Sequence, residues 1–239
     1  MKPFGKIEDC LAAAAKLLLE FPCPHCGANT AENDNRLCPV CLETLHFTPH
    51  DACRMCGGVN DGVLNCCSEC LEAGKRPWNA AFSVFFYDAT VRDLVLKFKY
   101  GGRPELAGLF AGFAAEKLKK SAVDFDCIVP VPVNFLRRLR RGYNQCELLG
   151  AELARLTGKP CLTALTRPHG GHQARRGRAE RLSAMKNAFR LRGGMLKPGA
   201  AVLLIDDVFT TGATLTAAAN ELRKAAPCSI TVLTLARRI

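Results

Sequence analysis

Residues 202–214 read Val-Leu-Leu-Ile-Asp-Asp-Val-Phe-Thr-Thr-Gly-Ala-Thr. Val202 to Ile205 is a short apolar run of the kind that fills a buried parallel strand. It ends in two adjacent carboxylates, Asp206 and Asp207. A turn of small residues follows, then a helical pattern from about Leu215 to Ala225. A strand, a small-residue loop and a helix in that order build a cradle for an anion. Gly212 lets the backbone come close to a ligand. The hydroxyls of Thr210, Thr211 and Thr214 converge on one phosphate with the free N–H groups around Ala213 at the helix start.

No Gly-Lys-Ser/Thr follows the glycine, so the loop is not a Walker A motif. The carboxylates suit hydroxyl donors or a Mg²⁺-bound polyanion. One ligand combines a phosphate, a diol and a metal-bound pyrophosphate: phosphoribosyl pyrophosphate. The stretch resembles the signature of the type I phosphoribosyltransferases, with four apolar residues, two acids, two further residues and Thr-Thr-Gly-x-Thr. The bland alternative is a strand-to-helix turn with a polar cap. The acids, the glycine and the threonines, all in place, weigh against it.

The chain has 239 residues and is 49% apolar, enough for a real core in one large domain or two smaller ones. A formal charge of +11 points to polyanionic partners, although solubility alone also explains it. Cys10 to Leu19 is apolar but short, contains Lys16 and follows Glu8 and Asp9. It therefore lacks the length of a membrane span and the basic flank of a signal peptide. An amphipathic helix with Leu11, Ala14, Ala15 and Leu18 on one face is expected. No membrane span and a cytoplasmic location are the expectations.

Ten of the fourteen cysteines lie between Cys10 and Cys70. Cys23-x-x-Cys26 and Cys38-x-x-Cys41 make one pair of knuckles, separated by 11 residues; Cys53-x-x-Cys56 and Cys67-x-x-Cys70 make a second, separated by 10. Two residues between cysteines let both thiolates reach one tetrahedral ion, and a short hairpin brings the other two round. Two structural Zn²⁺ sites are expected, each with a closed Cys₄ set and no open position for water. Cys66 stands beside Cys67 and is an alternative ligand. Cys127, Cys146, Cys161 and Cys228 read as small core residues.

From about residue 78 onward, strand and helix patterns alternate. Strands are expected over Ala80–Tyr87, Asp126–Val131, Cys161–Leu165, Val202–Ile205 and Ser229–Leu235. Helices are expected over Thr90–Phe98, Leu106–Leu118 and Asn144–Leu156. This order implies an α/β fold with a parallel sheet, whose ligands sit at the carboxyl ends of the strands. The loop after Pro130-Val-Pro132 carries Arg137, Arg138, Arg140 and Arg141, followed by Gly142, Tyr143, Asn144 and Gln145. Arginine forks hold phosphate oxygens bidentately, so this loop is the expected pyrophosphate holder if it borders the cleft of Asp206. A solvated basic face or a nucleic-acid contact is the alternative. Lys97 and Lys99, ahead of Gly101-Gly102, are a further basic element that reaches the same cleft or simply ends a helix. A long basic stretch from Arg167 to Arg192 reads as a mobile lid or a disordered loop.

The knuckles, Pro130-Val-Pro132, the Arg-Arg-Gly-Tyr-Asn-Gln run at 140–145 and the Asp-Asp loop occur together in this order. Together they resemble the ComF family, from about residue 20 to the C-terminus. Beyond the helix expected over 1–20, the resemblance implies a double zinc ribbon over 21–77 and a type I phosphoribosyltransferase domain over 78–239. It implies that Thr210–Thr214 binds the 5′-phosphate, that Asp206 and Asp207 hold ribose hydroxyls or Mg²⁺, and that the loop from Val131 to Gln145 holds pyrophosphate. In the lid, Arg167, Gln173, Arg181 and Ala188-Phe189 match the family pattern. Gly170 and Ala184 depart from it where threonine and asparagine are common, which leaves the lid's contacts open. The family is implicated in natural transformation, with single-stranded DNA and the DNA-uptake machinery as partners. Two functions follow: transfer of a phosphoribosyl group to an unnamed acceptor, or a binding protein for single-stranded nucleic acid.

Overall fold

The computed structural model describes residues 22–28, 37–60, 66–168 and 188–238. The expected N-terminal helix and the lid residues Gln173 and Arg181 lie outside them. The chain divides into two compact units, Met1–Leu45 and His46–Ile239. In the first, a turn closes with the Gly27 N–H on the Cys23 carbonyl at 2.9 Å, and α1 spans Pro39–Glu43. Cys38 is its extended N-cap, and Pro39 suits the first helical position because its missing N–H has no partner there.

The second unit begins with the other knuckle pair. Gly57 takes a φ of 69° and its N–H bonds the Cys53 carbonyl at 2.7 Å; α2 then spans Ser68–Glu72. β1 (Ala80–Phe86) leads into α3 (Ala89–Tyr100), where Asp88 caps by accepting from the Val91 N–H at 2.9 Å. Val91, Leu94, Val95 and Phe98 repeat at helical spacing and are buried. α4 (Leu106–Lys120), β2 (Cys127–Pro130), α5 (Phe135–Arg141) and α6 (Gln145–Thr157) follow. After the short β3 (Leu165–Thr166) and β4 (Arg190–Leu191) come β5 (Ala201–Phe209), α7 (Ala213–Leu222) and β6 (Ser229–Arg237).

The main sheet runs β1-β6-β5-β2, and every pair is parallel. Val202 to Ile205 are almost wholly buried, as expected for a strand covered on both faces. One face packs under α7. The other packs under α6, where Gly150 lies so close that a Cβ would meet the Ile205 Cδ1 at 3.2 Å.

Four expectations need correction. β5 does not stop at Ile205. It continues past both aspartates to Phe209, because β6 keeps pairing with it (Asp206 opposite Thr234, Phe209 opposite Arg237). Residues 161–165 add no strand to the main sheet. Cys161 makes an isolated bridge to Ile128, and Leu165–Thr166 pairs antiparallel with Arg190–Leu191 instead. The arginine segment is a short helix, α5, capped by the Asn134 side chain and closed by Gly142 in the left-handed region (φ 79°). Cys228 is exposed, so it is not a core residue.

A Cβ on Gly57 would lie 2.5 Å from the Ser83 backbone nitrogen, and its positive φ disfavours any side chain. Gly57→Ala should therefore cost about 1–3 kcal/mol of stability. Denaturant unfolding checks this through a lower midpoint at unchanged slope.

Candidate functional site

β2 ends at Pro130, paired with Ile205, while β5 runs four residues further beside β6. The segment carrying Asp206 and Asp207 thus projects past the carboxyl end of its neighbour, where α6 begins. Cys146, Asp206 and Asp207 bring their ligand atoms within 4.8 Å of one another. The Cys146 thiol donates to Asp206 Oδ1 at 3.6 Å, and the same oxygen accepts from the Asp207 N–H at 2.9 Å. Burial and the neighbouring Asp207 charge push the Asp206 carboxyl up to about 7. Burial and both carboxylates hold the Cys146 thiol well above its ordinary value, which favours the protonated thiol.

Asp207 has both oxygens engaged. Lys99 Nζ lies 2.7 Å from Oδ1, and the Gln145 side-chain amide donates to Oδ2 at 2.5 Å. Burial alone would lower the Lys99 pKa, but the Asp207 charge and hydrogen bond outweigh it and raise it. Gln145 in turn accepts from Arg141 at 2.8 Å, and Arg141 donates to the Tyr100 hydroxyl at 2.8 Å while lying 4.5 Å from that ring's centroid. The network is closed because Lys99 and Tyr100 are neighbours on the last turn of α3. Of the expected lysines, Lys99 enters the cleft, whereas Lys97 pairs with Asp93 one helical turn back.

The basic segment divides. Arg141 is spent on orienting Gln145, and Arg138 pairs with Glu147 at 3.3 Å. Arg137 and Arg140 stand exposed on α5. Tyr143 anchors the turn by donating to the Phe98 carbonyl at 2.5 Å, and Asn144 caps α6 by accepting from the Cys146 N–H. Arg167, which follows β3, was prominent in sequence only as a pattern match. Burial lowers its pKa, the nearby Arg137 adds to this, and Asp206 opposes both, so it lies in the field of the same carboxylate. It also covers the Phe189 ring at 5.3 Å.

The loop after β5 turns at Gly212, whose φ of 77° makes it the left-handed N-cap of α7. A Cβ there would lie 2.8 Å from Phe209 Cζ, so both conformation and space demand glycine. Thr211 Oγ1 accepts from the Ala213 N–H at 3.4 Å, and Thr214 sits in the first turn of α7. Loop, carboxylates and α5 start from adjacent strand ends.

The two cysteine sets fit a tetrahedral thiolate site. Cys26 and Cys38 lie 3.7 Å apart through their sulfurs, as do Cys56 and Cys67. Four sulfurs about 2.3 Å from one zinc ion stand about 3.8 Å apart. In both sets all four sulfurs are mutually within 4.8 Å, and Cys67 rather than Cys66 completes the second. Burial works against the Cys53 thiolate, yet the N–H groups of Cys67, Met55 and Cys56 bring its pKa down to about 7. Cys23 is brought to about 6 in the same way by Cys26, Cys38 and His25. Cys67 goes the other way, to about 11, through burial and the Cys56 charge. Crowded thiols that cannot all ionise alone are suited to sharing a cation.

Folded Asp206 binds its proton more tightly than the unfolded chain, where an aspartate titrates near 4. The stability it costs therefore grows as pH rises from about 4 to 7. Asp206→Asn should be more stable than the parent chain at pH 8, by up to about 4 kcal/mol, with the gain gone near pH 4. Thermal unfolding across that range, without ligand, decides the point.

A model of the phosphoribosyl transferase domain matches residues 166–239. The chain is 30% identical over 225 residues to competence protein F of Haemophilus influenzae, covering 91% of this chain and 97% of the relative. It is 28% identical over 211 residues to competence protein ComFC of Bacillus subtilis, covering 85% of each. It is also 28% identical over 210 residues to DNA utilization protein YhgH of Escherichia coli K12, covering 85% of this chain and 91% of the relative. With a parallel sheet flanked by helices and two tetracysteine sets ahead of it, the chain belongs to the ComF family of competence protein F and ComFC.

Proposed function

We propose that the chain binds phosphoribosyl pyrophosphate with Mg²⁺ at the carboxyl ends of β2 and β5. The observation that carries this is the continuity of Asp206-Asp207 with the Gly212 loop on β5–α7, facing Lys99. The loop from Thr210 to Thr214 receives the 5′-phosphate through backbone N–H groups and hydroxyls. Asp206 and Asp207 take the ribose hydroxyls or the cation, whose hard-ion chemistry their oxygens suit. Mg²⁺ would supply charge neutralisation for the departing pyrophosphate.

Arg137 and Arg140, exposed on α5, and Arg167, in the field of Asp206, supply forks for the pyrophosphate oxygens. Arg141, Tyr143, Asn144 and Gln145 shape the turn and aim Asp207. Lys99 has a choice of partner: Asp207 in the free protein, or an oxygen of the ligand once a cation claims Asp207. A phosphoribosyl transfer at this site needs positioning and charge stabilisation, with no covalent nucleophile. The cysteine sets hold two structural Zn²⁺ ions, as a double zinc ribbon over 21–77.

The relatives' names, competence protein and DNA utilization protein, support a role with incoming DNA, for which a cytoplasmic location is proposed. Among the described residues, no helix is long and apolar enough to cross a membrane. A second reading has its own observation. On α5, Phe135, Leu136 and Leu139 are 51%, 52% and 70% exposed among arginines. Apolar and guanidinium groups interleaved in this way suit single-stranded DNA, by stacking and phosphate contact.

Calorimetric titration of the zinc-loaded chain with phosphoribosyl pyrophosphate tests the first reading. Binding should require Mg²⁺ and be lost in Asp207→Asn; absence of heat with and without Mg²⁺ would sink it. If α5 holds DNA, oligonucleotide affinity should fall steeply with salt, and Arg137→Gln with Arg140→Gln should flatten that slope by about two phosphate contacts.

A further inference from the structure

Arg237 ends β6, directly opposite Phe209 in the register of β5. Its side chain is 8% exposed, an uncommon burial for a guanidinium. Nη1 donates to the Thr210 carbonyl at 2.9 Å and the Phe209 carbonyl at 3.5 Å, while Cζ lies 5.0 Å from the Phe209 ring centroid. Nη2 reaches the other way and pairs with Glu69 at 2.7 Å. Glu69 lies on α2, between Cys67 and Cys70. The turn after Cys56 also rests on this guanidinium: a Cβ on Gly58 would lie 3.2 Å from Arg237 Nε and 3.4 Å from the Cys56 sulfur.

A second strut runs parallel. The Trp78 indole N–H donates to the Met55 carbonyl, inside the Cys53–Cys56 knuckle, at 2.9 Å. Its ring meets Phe209 edge-on, with centroids 6.1 Å apart. Arg76 lies 5.6 Å from the Trp78 ring centroid and donates to the Thr211 carbonyl at 3.3 Å.

The direction of these bonds matters. In a trans peptide the C=O and the following N–H point opposite ways. Arginines that hold the carbonyls of Thr210 and Thr211 from behind therefore turn the amides of Thr211 and Gly212 to the other side. An anion nest needs that orientation held in advance, since ordering a glycine loop at the moment of binding costs affinity.

We propose that Arg237 is a positioning residue coupling the second tetracysteine cluster to the phosphate loop, so that metal held by Cys53, Cys56, Cys67 and Cys70 tightens the loop around a phosphate ester. This rests on the ligand reading above for the identity of the phosphate ester, and on geometry alone for the coupling. Loss of that metal, by chelation or thiol oxidation, frees α2 and the Cys56 turn, and with them the arginine that aligns the loop.

Hydrogen exchange on the full zinc-loaded chain without ligand tests the coupling, by comparing the amides of Thr211 and Gly212 with those of Leu203 to Ile205. Arg237→Lys keeps the charge but cannot fork between Glu69 and the loop. It should speed exchange at the loop amides about ten-fold, with zinc content and strand protection unchanged. Glu69→Gln should give a smaller rise, and Cys70→Ser a rise at least as large as Arg237→Lys. With Mg²⁺ present, affinity for phosphoribosyl pyrophosphate, and for inorganic phosphate as a simpler probe, should drop about ten-fold in Arg237→Lys. Loop exchange equal to the parent's in both Arg237→Lys and Glu69→Gln overturns the coupling, even if Cys70→Ser fails to fold. A parent chain that binds neither probe defeats the ligand reading, while the exchange rates still decide the coupling.

Discussion

The parallel ladder between β5 and β6 is the constraint on which the rest depends. It extends beyond the end of β2, and that mismatch in length opens the cleft. Along the shared part, Val202 to Ile205 are sealed between helices, so the register cannot slip without exposing apolar side chains on both faces. Past Pro130 no paired strand flanks β5 on the β2 side among the described residues. Asp206 and Asp207 emerge there, held by continued pairing with β6 on the other side. At the same carboxyl end, the β6 side of that pairing places Arg237 behind the loop, so one ladder sets both the front and the back of the candidate site.

Two aspartates in a half-buried setting are electrostatically costly, and their surroundings reflect it. Lys99 and the Gln145 amide satisfy Asp207, while Asp206 stays inclined to keep its proton. Such a site is poised for a cation or a set of hydroxyl donors, because either relieves the repulsion that the fold imposes. The arginines around it are shared between jobs. Arg141 has its fork turned inward on Gln145 and Tyr100, whereas Arg137 and Arg140 stay in solvent, where they can meet phosphate.

The second cysteine set is packed into the core of its unit. Its sulfurs belong to the same apolar cluster as Trp78, Val202, Leu204 and Leu215. A cluster placed in this way packs against the sheet edge, through the Ala81 N–H on the Arg54 carbonyl and the close approach of Gly57 to Ser83 and of Gly58 to Arg237.

Much of the fold class and the core of the candidate site was legible because it is contiguous. A buried strand, two acids, a Thr-Thr-Gly turn and a helix follow one another in thirteen residues, and four Cys-x-x-Cys knuckles carry their own spacing. The length of β5 was not legible, because it depends on how far β6 pairs. The helical state of α5 was hidden because seven residues with four arginines show no apolar face to bury. Lys99, Gln145 and Arg237 come from three separate elements, and no local pattern says that the first two share Asp207 or that the third backs the loop. These placements are decided by strand order: β6 lies between β1 and β5, and β2 on the far side of β5. Sequence alone determines which chemistry the chain carries, since that lies in short-range order; only the tertiary structure decides which charges face it, since that lies in the sheet.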